Sequence, residues 1–192
     1  SLGTHAGAAN VDLGEPGSWT KFHSQQAAIE VRAAQKDDAP ALHLRYNLPA
    51  PNQFVVAGRD LQLSLPSYYE FRFMIKGTGK RNNFEFKLND SAGNTFMKAW
   101  RNFRFPEDWQ EMVIPSRDIR YAWGPNPKAR LEAASRVEFA IVSGLGGEGE
   151  VFIGPIAIHE TDPQDEPPVP QARASSTANE ENHSAARAVD GS

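Results

Sequence analysis

The feature that most constrains this chain is a two-residue alternation of apolar and polar side chains, repeated in short stretches over residues 19–160 and broken by Gly, Pro, Asn and Asp. Successive side chains of a strand point to opposite faces, so such stretches fold as half-buried β-strands. They fall at residues 27–34, 41–47, 60–65, 69–76, 83–88, 96–105, 110–114, 137–142 and 150–159. Parallel α/β folds need repeated crossover helices, and here only PKARLEAAS, residues 127–135, has helix-forming composition. A piece that short serves as one connecting helix. The expected fold is therefore all-β, a two-sheet antiparallel β-sandwich with a single short helix.

Composition narrows the function. The 15 Gly and 14 Pro fit a turn-rich chain, and 192 residues suit one main core. A net charge of −4 with the signs mixed supplies no basic field, which argues against nucleic acid or an anionic membrane as partner. With no Cys there is no disulfide and no thiolate chemistry, and no apolar run approaches the roughly 20 residues of a membrane span.

The chain divides into an N-terminal segment (1–18), the sandwich (19–160), a linker (161–173) and a polar tail (174–192). The linker, TDPQDEPPVPQA, is extended by its prolines and charges, and the tail has too few core residues to fold alone. Its ASSTANEENHSAARAVDGS resembles the opening of a discoidin (coagulation-factor type C) domain. The body carries YYEFRFMIKG (68–77), NNFEFKLNDSAGN (82–94), TFMKAWRNFRFP (95–106), DWQEMVIP (108–115) and VEFAIVSGLGGEGEVFIGPIAIHE (137–160). In these it resembles the jelly-roll, galactose-binding-like carbohydrate-binding modules attached to bacterial polysaccharide-degrading enzymes. That resemblance implies a secreted or periplasmic, non-catalytic module with a carbohydrate ligand, joined to a downstream discoidin-like domain and a catalytic domain of glycoside hydrolase or polysaccharide lyase type.

Alternation also assigns each side chain of a strand to a face. Phe71, Phe73 and Ile75 point inward, which turns Arg72, Met74 and Lys76 out; Phe84, Phe86 and Leu88 leave Glu85 and Lys87 outside. Val137, Phe139 and Ile141 do the same for Glu138 and Ala140. In 96–105 aromatics occupy both parities, and a bulge near Trp100 fits that pattern. The favoured phase exposes Phe96, Lys98, Trp100, Asn102 and Arg104. Trp100 with Arg72, Glu85, Lys87, Lys98, Arg104 and Glu138 then forms a face suited to sugars: an aromatic ring for the C–H face of a pyranose, and charged groups for its hydroxyls. Tyr121 and Trp123, in the loop RYAWGPNP, edge this face, while Trp109 beside an apolar strand reads as core. Alternating Arg, Glu and Lys also form ordinary cross-strand ion pairs, each worth under about 1 kcal/mol. The competing expectation is thus an architectural or protein-interaction sandwich that packs Trp100 against a neighbouring domain or subunit.

Enzymatic signatures are lacking. The five His form no HxH or HExxH spacing, GxSxG does not occur, and GLGGEGE (144–150) lacks the Lys-Ser/Thr of a phosphate loop and reads as a hairpin turn. Glu85 and Glu138 could be neighbours, as a glycosidase pair would be, but Arg and Lys surround them. No organic cofactor is implied. The jelly-roll resemblance implies a structural calcium, with Asp12 and Glu160 as the acids placed for it. Calcium takes roughly six to eight oxygens, few others are at hand, and Ile153-Gly154-Pro155 stands where those modules carry an acid.

Overall fold

The computed structural model describes residues 8–163, and the tail expectation falls beyond them. Thirteen strands follow in order: β1 (Ala8–Val11), β2 (Thr20–His23), β3 (Ala28–Lys36), β4 (Ala39–Leu48), β5 (Phe54–Ser64), β6 (Tyr69–Thr78), β7 (Asn82–Asn89), β8 (Thr95–Phe103), β9 (Gln110–Pro115), β10 (Arg120–Trp123), β11 (Ala133–Val142), β12 (Gly147–Ile153) and β13 (Ile156–Glu160). All pair antiparallel in two sheets. Sheet A runs β1-β13-β6-β12-β4-β3, with β9 on the other edge of β6; sheet B runs β10-β8-β7-β11-β5-β2.

The expected sandwich forms, and the inward sets Phe71/Phe73/Ile75, Phe84/Phe86/Leu88 and Val137/Phe139/Ile141 are all buried. Aromatic rings knit the sheets together: Phe71 lies 5.1 Å from Phe86, and Phe73 lies 5.8 Å from Phe139. Each such side chain, fully buried, contributes about 1.5–3 kcal/mol. Residues N-terminal to Trp19 belong to the same body, since β1 pairs with β13 and Val11 and Leu13 join the core. Trp19 is buried too, its indole N–H donating to the Leu13 carbonyl at 2.7 Å.

Several expectations are corrected. Residues 127–132 form no helix, and the chain enters β11 at Ala133; 3-10 turns occur instead at Pro16–Ser18 and Ser116–Asp118. The run 150–159 is not one strand. Pro155 has no N–H to give the ladder, so β12 and β13 lie end to end along one edge of β6, with Gly154 N–H donating to the Met74 carbonyl at 2.7 Å. The glycines at 144–147 do not make a hairpin; they carry the chain from sheet B to sheet A, with positive φ at Gly146 (68°) and Gly147 (85°). Asn82 fastens that crossing: its Oδ1 accepts from the Gly144 and Gly146 N–H groups at 2.9 and 2.8 Å.

Candidate functional site

Pairing register fixes which side chains share the solvent face of sheet B. One row across the strands reads Arg120, Met97, Lys87, Glu138, Gly58, Thr20; the next reads Ala99, Glu85, Ala140, Val56, Phe22. Beside the first row lie Trp123, Thr95, Asn89, Arg136 and, across a bulge, Asp60. Six strands spaced about 4.8 Å apart give this face a width of about 24 Å from the β10 edge to the β2 edge.

Its polar half is locked in place. The Arg136 guanidinium donates to Glu138 Oε1 at 3.2 Å, to Asp60 Oδ1 at 3.0 Å and to Thr20 Oγ1 at 2.5 Å. It lies flat because position 58 is glycine: a Cβ there would sit 2.7 Å from Arg136 Cζ. Lys87, buried, pairs with Glu85 at 3.4 Å and holds its ammonium 5.1 Å from the centre of the Trp123 ring. Trp123 stays 51% exposed at one edge. At the other edge Phe22 is exposed and leans on Phe54 at 5.5 Å, next to Val56 and Ala140, which are buried outside the main core.

Trp123 is placed by a relay of turns. The Asp90 carboxylate accepts from Ala92 N–H, Asn94 N–H and the Asn94 amide at 2.8–2.9 Å, closing the β7–β8 turn. Buried Asn94 in turn accepts from Asn126 N–H at 3.0 Å. Gly124, with φ of 140°, presses its backbone onto Asn94, where a Cβ would come within 2.6 Å of Asn94 Cα. Tyr121 donates its hydroxyl to the Gly124 carbonyl at 2.6 Å.

Of the residues expected from sequence, Glu85, Lys87, Glu138 and Trp123 come together on this face. The others do not. Arg72 lies on β6, in sheet A, and pairs there with Glu70 and Glu111. Trp100 faces the core: it is partnered by Phe84 and stacks on that ring at 5.3 Å and 21°. Phe96, Lys98 and Trp100 oppose Leu88, Phe86 and Phe84 in unbroken register, so the parity expected to face solvent is the core-side one. Beyond it three steps along β8, from Trp100 to Phe103, oppose two along β7, and Asn102 takes φ of 51°, so Phe103 turns inward as well. Lys98, partner of Phe86, takes the core-side parity and reaches Asp118 at 3.7 Å. Phe96 is buried, and Tyr121 packs edge-on against it at 6.0 Å. Arg104 lies beyond β8, exposed beside Glu107.

Trp109 is not core either; it sits on the outer side of sheet A against Phe152. Arg136, Asp60, Thr20, Phe22 and Gly58 join the face without a clear signal in the sequence. Parity reaches Arg136 only if the strand is started before Val137, and TKFH around Phe22 is too short a run to signal a strand.

Calcium does not fit. Val11 pairs with Ile156 and Ala8 with His159, so Asp12 and Glu160 lie at opposite ends of the β1–β13 ladder, roughly 16 Å apart. The Gly14 N–H at 2.8 Å and the Arg59 guanidinium already engage Asp12 and hold its carboxyl below the usual range. Among the described residues no three His, Asp or Glu side chains converge as a metal site, and no helix is long and apolar enough to cross a membrane.

The class this fold defines is the two-sheet jelly-roll β-sandwich. No family model matches the sequence, and no curated protein matches it. Solved structures do match in fold. A family 11 carbohydrate-binding module of a cellulosomal cellulase of Clostridium thermocellum is 12% identical, covering 82% of this chain and 97% of its own, with a TM-score of 0.65. The family 11 module of the same organism in complex with a β-1,3-1,4-mixed-linked tetrasaccharide is 12% identical, covering 81% and 96%, with a TM-score of 0.64. An agarase is 11% identical over 81% of this chain but 25% of its own, with a TM-score of 0.55.

Proposed function

We propose that this chain is a non-catalytic carbohydrate-binding module and that the outer face of sheet B holds the glycan. The observation that carries the reading is Trp123, half exposed and propped on Lys87 beside the fixed Glu85, Glu138 and Arg136 groups. A ring at one edge, a second aromatic at the other and rigid hydrogen-bonding groups between them suit a polyhydroxyl chain lying across the strands. Preorganised groups lose little freedom on binding, which favours affinity. Glu85 and Glu138 are committed as acceptors to Lys87 and Arg136 and serve as contacts rather than as an acid–base pair. The fold likeness to carbohydrate-binding modules supports this reading, as does its occurrence within a longer agarase chain.

The module acts by tethering. It keeps an attached hydrolase or lyase, and a following discoidin-like domain, near an extracytoplasmic polysaccharide. Affinity gel electrophoresis of the full chain through β-1,3-1,4-glucan and agarose tests this. Retardation by at least one of them is expected, and Trp123→Ala should weaken it about ten-fold, equivalent to about 1.4 kcal/mol. Migration unaffected by either polymer, or a Trp123→Ala variant retarded as strongly as the parent, overturns the assignment.

A further inference from the structure

The opposite side of the sandwich carries a second constellation that the face around Trp123 does not use. On the outer side of sheet A, cross-strand pairing sets Thr78, Glu150, Arg45 and Glu30 in one row, and Lys76, Phe152, His43 and Arg32 in the next. Glu30, Arg45, Asn47, Thr78, Glu148 and Glu150 line an open depression of about 420 Å³.

Arg45 stands between two carboxylates and pairs with neither. Glu30 is taken by Arg32 at 2.6 Å and Glu150 by His43 Nε2 at 2.6 Å, which leaves Arg45 exposed and without an ion-pair partner among the described residues. The diversion of Glu150 is built into the sheet. His43 stacks on Phe152 at 4.1 Å and 6°, Phe152 meets Trp109 edge-on at 6.4 Å, and the Lys76 ammonium lies 5.0 Å from the centre of the Trp109 ring. An imidazole clamped this way keeps its nitrogen on Glu150 and off any other partner.

We propose that this depression is a second glycan subsite, specific for uncharged sugars, so that the module binds two chains at once. The chemistry selects the ligand. Arg45 offers a planar fork of donors, while Glu30, Glu148 and Glu150 offer only acceptors. Vicinal hydroxyls accept from the first and donate to the second. A sulfate or carboxylate would satisfy Arg45 but would also face three carboxylates, so anionic sugars are disfavoured. One row away lie Phe152 and Trp109, with the Lys76 ammonium 5.2 and 5.0 Å from their ring centres and able to donate to hydroxyls of an adjoining ring. The two sheets stand about 10 Å apart and their outer faces point in opposite directions, so the two subsites take separate chains and the module bridges them.

This inference rests on the carbohydrate-binding reading, and the test separates the two. Isothermal titration of the full chain with a β-1,3-1,4-linked tetrasaccharide and an agaro-tetrasaccharide, with a galacturonate oligomer as the anionic comparator, is run on the parent, Trp123→Ala, Arg45→Ala and the double variant. Two neutral sugars per chain are expected for the parent, one for each single variant and none for the double. Glu148→Gln, at another exposed position, should weaken the Arg45 subsite about five-fold without altering the melting temperature. One sugar per chain, lost in Trp123→Ala and unchanged in Arg45→Ala, overturns the second subsite and leaves the first. Preference of the Trp123→Ala variant for galacturonate overturns the neutral-sugar assignment, and no sugar uptake by the parent overturns both readings.

Discussion

Arg136 lies across the bare backbone of Gly58, its guanidinium filling the space that a Cβ on the neighbouring strand would occupy. The sequence offers no hint that this glycine matters, since it is neither in a turn nor at positive φ.

Gly58→Ala should therefore separate binding from stability. The new methyl group meets the far end of a flexible side chain, so Arg136 swings aside, and removal of a strand glycine offsets part of the lost contacts. The melting temperature should move by only a few degrees, an effect of about 1 kcal/mol or less, while glycan affinity falls several-fold as Asp60, Glu138 and Thr20 lose their common donor. Paired thermal melts and affinity electrophoresis read both quantities. A variant that binds like the parent would mean that Arg136 is not part of the glycan face.

Trp100 and Trp123 should behave oppositely. Trp100 stacks on Phe84 and lies 6.2 Å from Phe103, so Trp100→Ala opens a cavity and should cost about 2–4 kcal/mol of stability. Trp123→Ala should cost under about 1 kcal/mol, because half of the ring is already in water. Urea titration of both variants decides the matter, and equal losses would contradict the inward placement of Trp100.

Asn82 is buried and uses both ends of its amide: Oδ1 accepts from Gly144 and Gly146, and Nδ2 donates to the carbonyls of Lys80 and Gly146 at 3.2 and 3.3 Å. Asn82→Ala leaves those N–H groups unsatisfied at the passage between sheets. A loss of about 2–3 kcal/mol is expected in chemical denaturation. Asn82→Asp should retain part of it, since it keeps the acceptor oxygen and loses the donor.

Asp90 supplies a pH dependence. Its limited burial pushes the carboxyl up, but hydrogen bonds from Asn94, Ala92 and Gly93 outweigh that and hold it below its ordinary value of 3.8. A carboxyl lowered by folding stabilises the native state above its unfolded pKa, and the gain disappears as pH falls through the folded one. Stability should thus be flat near neutrality and decline as pH drops below about 4. In Asp90→Asn that part of the decline should be absent. Melting temperatures measured from pH 7 down to pH 2 for both proteins test this, and parallel curves would refute it.

Part of this architecture is legible in one dimension because side-chain parity is a local property. Phe71, Phe73 and Ile75, or Phe84, Phe86 and Leu88, must share a face whatever their partners are, and so Glu85, Lys87 and Glu138 could be placed outside from the sequence alone. Two kinds of information were not local. Which strand lies in which sheet depends on pairings between residues far apart in the chain, and this put Arg72 on the opposite side of the molecule from Glu85. Which parity of β8 faces the core is set by its register with β7, where Phe96, Lys98 and Trp100 oppose Leu88, Phe86 and Phe84, and the extra residue of the bulge at Asn102 then turns Phe103 inward as well. That register sends Trp100 into the core. The exposed indole of the proposed glycan face is instead Trp123, held over Lys87 by the contact of Gly124 with Asn94 and the relay from Asp90 behind it.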